Sequence, residues 1–167
     1  MAGILGFEES NMEPNTTPSD NVVLLRGATL WLLMALVLAW CLVGLNFDLP
    51  LAKAIFPGKF HRVLQAHIDL LLMSALILGF YASRVALPAP VRWAMVIGAF
   101  TNSSLFLLMA IFPVLDATPP AQGFFPSVFK IYLFASLLLT SFGFGRAAVT
   151  VLRSTFKSKE SLLPQTE

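Results

Sequence analysis

Charge is scarce in this chain. Only 12% of its 167 residues are charged, about half the share of a soluble globular domain. The net charge of +2 is too small to gather nucleic acid. Cysteine is scarcer still. Cys41 is the single one, so no intrachain disulfide forms, and metal sites built from cysteine pairs and covalent heme attachment through C-x-x-C-H are excluded. Histidine occurs only as His61 and His67. The first 25 residues hold Glu8, Glu9, Glu13 and Asp20, and they lack the positive start and short apolar core of a cleaved signal peptide.

What the chain has is apolar length. Hydrophobic residues make up 57% of it. A bilayer core about 30 Å thick takes roughly 20 apolar residues as a helix. Four segments meet that requirement: residues 27–46, 62–81, 91–115 and 129–152. Pro50, Pro57 and Gly58 break the first connection, Pro88 and Pro90 the second, and the Pro/Gly-rich stretch 116–126 the third. The expected fold is therefore all-α, an integral membrane four-helix bundle. Residues 1–25 read as a flexible polar tail, 26–153 as the four-span domain and 154–167 as a second polar tail.

Four spans put both termini on one side. Arg26, Arg84, Arg92, Arg146, Arg153, Lys157 and Lys159 fall there, against Lys53, Lys59, Arg62 and Lys130 opposite. The excess predicts cytoplasmic termini in a cell membrane of the bacterial type.

Ionisable groups inside lipid are costly, and they are functional candidates by default. His67 and Asp69 lie near the start of the second span. Helical spacing places Val63, His67, Leu70, Leu71 and Ser74 on one face. A neutral imidazole there serves either as a hydrogen-bonding group between helices or as a ligand for a metal or heme iron. Asp69 points about 200° away from His67, so it does not orient that ring within one helix. It reads as a carboxylate near the helix start, paired with Gln65 one turn back, or as a contact to substrate or a second subunit.

Asn102 stands mid-way along the third span within "FTNSS", residues 100–104. It serves either interhelical bonding or a substrate or cofactor contact. Tyr132, Ser136 and Thr140 recur every fourth residue on the fourth span, and "SFGFG" at 141–145 continues the pattern. Such spacing predicts a helix-packing seam. His61 lies about 9 Å along the axis from His67 and faces elsewhere, so the two do not clasp one iron.

The stretches "VLQAHIDLLLMSALILGFY" and "FTNSSLFLLMAIFP" resemble the small four-helix membrane isomerases, namely styrene oxide isomerase and the similar hydroxylaminobenzene mutases. The likeness rests on the Ala66–His67 pair, on Thr101 with Asn102, and on Pro113 eleven residues later, and it spans residues 64–152. It implies a homotrimer with heme b held between subunits and His67 as ligand to the iron. It further implies that ferric iron polarises an epoxide oxygen, so that C–O opening and a hydride shift give an aldehyde with no net redox change. An apolar pocket would keep water from the intermediate.

This chain has Met73 and Phe106 where the epoxide isomerases carry a substrate-facing Asn and Tyr. Asp69 matches the Ala-His-x-acid pattern of the mutases, which move a hydroxyl from nitrogen to a ring carbon. The expected activity is a redox-neutral isomerisation of a small hydrophobic substrate. An arylhydroxylamine mutase, and a non-catalytic heme-binding or structural subunit, are the alternatives. His67 is the expected heme and metal ligand. Asn102 and Phe106 are expected to line the pocket, with Phe106 and Met109 nearest the depth of His67.

Overall fold

A computed structural model describes residues 21–119 and 121–160 of the chain, with side chains as far as residue 156. Every regular element in these residues is helical. The helices are α1 (Val22–Asn46), α2 (Pro50–Ile55), α3 (Phe60–Ala82), α4 (Ala89–Ile111) and α5 (Phe124–Glu160), with a 3₁₀ turn at Pro113–Asp116. Four of them, α1, α3, α4 and α5, are long and apolar enough to cross a membrane.

Proline sets several boundaries. Pro50 occupies the first turn of α2, and α4 begins at Ala89–Pro90, where a missing N–H costs nothing. Pro113 ends the third span at Ile111, four residues short of the expected Leu115, and turns the chain into the 3₁₀ segment. The terminal boundaries also differ from expectation. Residues 1–20 lie outside the described residues, but Val22–Leu25 belong to α1 and Leu24 is fully buried. Those four residues are apolar and simply extend the first run. At the other end α5 continues to Glu160, because polar residues past the apolar run still keep helical hydrogen bonds; residues 161–167 lie outside the described residues.

Helices α1, α3 and α4 pack on one another, and α5 packs chiefly on the far side of α4. The layout is thus a triangle of helices with a fourth appended, and α4 is the most enclosed span. Asn21 Nδ2 donates to Val85 O at 3.0 Å, which places the start of α1 beside the α3–α4 connection. At the opposite end, Gly58 N–H donates to Ala110 O at 2.8 Å. A Cβ on Gly58 would lie 2.5 Å from that same oxygen, so only glycine permits the approach.

Inside a membrane, helices associate through close packing and polar contacts, because lipid is as apolar as leucine. The buried residues fit that rule. Gly27, Ala28 and Ala35 line the packed face of α1, and Ala66 and Ser74 that of α3. Trp31 joins the two core clusters: it donates to Val96 O at 3.0 Å and stacks on Phe100 with ring centroids 4.7 Å apart.

Candidate functional site

The polar side chains of α3 serve two different neighbours. His67 is half-buried and turned towards α1, with Nδ1 2.8 Å from Ala35 O. A carbonyl oxygen only accepts, so Nδ1 carries the hydrogen of this bond. In the neutral ring Nε2 then keeps the lone pair. Metal-binding histidines are commonly oriented in this way, by a carbonyl at the second nitrogen.

Asp69 faces α4. Its Oδ2 accepts from Asn102 Nδ2 at 3.0 Å and from Ser103 Oγ at 2.6 Å. The divergence of His67 and Asp69 around the helix follows the expected spacing. The partner of Asp69 does not. Gln65 Oε1 accepts from Arg62 at 2.8 Å instead, since Arg62 one turn earlier reaches it first. Asp69 is also well inside the span, and its carboxylate is held by side chains of the neighbouring helix rather than by the start of α3.

The structure brings Asn102 to Asp69 and places Phe106 against the cluster that contains Ala35, Ala66 and Leu70. Phe106 thus packs against the cluster that includes Ala35, whose carbonyl His67 bonds, whereas Asn102 meets another flank of α3. Met73 packs against the other cluster, the one that contains Leu24 and Ile77. Met109 lies beside Gly58, nearer the end of the bundle than His67. His61 is exposed.

The predicted seam on α5 is present. Tyr132 Oη lies 2.7 Å from Ser104 Oγ, Ser136 Oγ donates to Thr101 Oγ1 at 3.0 Å, and Thr140 Oγ1 donates to Gly98 O at 2.9 Å. A Cβ on Gly143 would stand 2.7 Å from Met95 N, so the two backbones touch there. Gly145 is outside the seam and has open space around it.

One cluster escaped the sequence reading. Asp116 Oδ2 lies 2.8 Å from Lys59 Nζ, and Asp116 Oδ1 accepts from Arg62. The side chain of Asp116 is only 12% exposed. Hydrogen bonds from Arg62 and then Lys59 hold its carboxyl well below the usual carboxylate range, against the opposing pull of burial. The available signal was topological: four spans put the first and third connections on one side, where Lys59 and Arg62 at the end of the first can meet Asp116, the acidic residue of the third.

Among the described residues, no three His, Cys, Asp or Glu side chains converge as a ligand set for a protein-only metal centre. A single imidazole would serve an iron only where a porphyrin supplies its other nitrogen ligands, and His67 would be the residue to hold it. Comparison of the chain with protein-family models, curated proteins and solved structures found no match.

Proposed function

We propose that the chain is a heme b-dependent membrane isomerase, acting by a redox-neutral rearrangement on a small hydrophobic substrate. The observation that carries this reading is the hydrogen bond from His67 Nδ1 to Ala35 O, which fixes the ring in mid-bundle and leaves Nε2 to a ligand. His67 would hold the iron. When bound, the heme would supply Lewis acidity towards a substrate oxygen. Phe106, packed with Ala66 and Leu70, would keep water from that side of α3. Asn102 would act through Asp69, by fixing α4 against α3, rather than by touching the substrate. Assembly as a homotrimer would complete the site. The basic residues at the terminal end support cytoplasmic termini in a bacterial-type cell membrane. An arylhydroxylamine would be the substrate of the mutase version of the same reading.

A second reading has the same bond in its favour. His67 and Ala35 join α3 to α1, and a helix-packing role needs nothing more. Absorption spectra separate the two. The detergent-purified protein, made in cells able to supply heme, should show a Soret band that His67→Ala lacks while keeping its helical circular dichroism. Colourless, correctly assembled wild-type protein would leave the packing role. Epoxides and arylhydroxylamines are then the substrates to screen on coloured protein.

A further inference from the structure

Asp69 is the single acidic side chain in the four spans, taken as far as residue 156. A carboxylate in lipid is costly unless a donor or a cation meets it. The protein meets half of it. Oδ2 accepts from both Asn102 and Ser103, while no described residue donates to Oδ1 and no described Lys, Arg or His pairs with it. The Asn102 amide anchors Oδ2, joined by Ser103 whenever its hydroxyl turns from Ala99 O, while Oδ1 of this half-buried residue is not among the fully enclosed unpartnered atoms.

The flank of α3 that carries Asp69 is graded. On an α-helix, Gln65, Asp69, Leu72 and Leu76 fall on one flank. Gln65 lies towards the loop end and is exposed. Deeper in the span, Leu72 and Leu76 are 53% and 42% exposed. A polar head fits at Asp69, and an apolar body fits along the two leucines. A charge-assisted N–H bond is the strongest that a fixed carboxylate oxygen can accept from a small molecule.

We propose that Asp69 is a binding site for the primary ammonium head of a small membrane-soluble amine, with Asn102 and Ser103 as the residues that position it. The site is on the α4 side of α3 while His67 faces α1, so its occupancy can be tested without heme.

The test uses the full chain in liposomes and a lipid-soluble reagent, dicyclohexylcarbodiimide, with the adduct located by peptide mass spectrometry. An adduct on Asp69 is expected. Octylamine should slow the disappearance of the unmodified Asp69 peptide several-fold, with any amide formed by capture of the activated carboxyl counted as modified, and octanol at equal membrane concentration should not. Absence of the adduct from folded protein, or equal slowing by the amine and the alcohol, overturns the proposal. In Asn102→Ala the adduct should still form but the preference for the amine should fall. An undiminished preference there would remove the positioning role of Asn102.

Discussion

Asn102 and Asp69 meet across the α3–α4 interface, with Nδ2 3.0 Å from Oδ2. The bond fixes the register of two antiparallel spans at mid-depth. Ser103, one residue on, adds a second bond to the same oxygen while remaining within reach of Ala99 O at 3.0 Å. A hydroxyl has one hydrogen, so Ser103 serves one of these acceptors at a time. The amide of Asn102 is the steadier of the two donors.

Removing that amide should destabilise the bundle by about 0.6–1.7 kcal/mol, from the mean to the maximum of interhelical side-chain bonds measured in a membrane protein. Unfolding of Asn102→Ala by titration with sodium dodecyl sulfate measures it. The double variant with Asp69→Asn should lose less than the sum of the single losses, because both changes break one contact. Full additivity would show that the two side chains do not interact in the membrane.

How much of this was legible beforehand differs by level. The four spans follow from apolar length, and the divergence of His67 from Asp69 follows from 3.6 residues per turn. The α5 seam was readable because Tyr132, Ser136 and Thr140 share one face. The partners of Asp69 were not readable. Periodicity tells which face a residue occupies, but pairing it with Asn102 requires the register between two helices, which Pro113 and the Gly58–Ala110 contact help to set. The Gln65 expectation failed for a local reason, since two candidate partners competed and the nearer cation won. Helix ends were misplaced because hydropathy locates the membrane, not the last helical hydrogen bond.

The contact at Gly143 gives a sharp contrast with Gly145. A side chain at 143 meets the backbone of Met95, which cannot move aside, whereas 145 faces open space. Gly143→Leu should cost about 1–3 kcal/mol by overpacking and should part α5 from α4. Gly145→Leu should be tolerated. Cysteines placed at Thr101 and Ser136, whose hydroxyls lie 3.0 Å apart, report the difference. Crosslinking should survive Gly145→Leu and drop with Gly143→Leu.

The Asp116 cluster ties the start of α3 to the end of α4, outside the lipid-facing core. Replacing the carboxylate by Asp116→Asn should cost about 1.5–3 kcal/mol near neutral pH, as for hydrogen bonds to charged groups. The folded carboxyl titrates below its unfolded value of about 3.9. Its stabilisation is therefore fully present above that value and is lost as pH falls towards the folded one. Melting temperatures of wild type and variant should differ by a constant amount from pH 8 to about 5. The gap should narrow below pH of about 4. A gap that widened on acidification would contradict the pairing with Arg62 and Lys59.

His67 combines two duties that substitution can separate. Nδ1 bonds Ala35 O, while Nε2 is the nitrogen left for a ligand. The side-chain amide of asparagine places its NH₂ close to where Nδ1 stands and has nothing in the place of Nε2. His67→Asn should thus keep the α1–α3 contact and stay within about 0.5 kcal/mol of wild type, the usual scale for changes that leave the key interactions intact. His67→Ala removes the contact and should lose about 0.6–1.7 kcal/mol. If Nε2 binds heme iron, both variants lose the Soret band alike despite their different stabilities. If His67 is only a packing residue, His67→Asn behaves as wild type in every measurement. The divergence of stability from colour in that one variant decides which nitrogen of the ring the protein depends on.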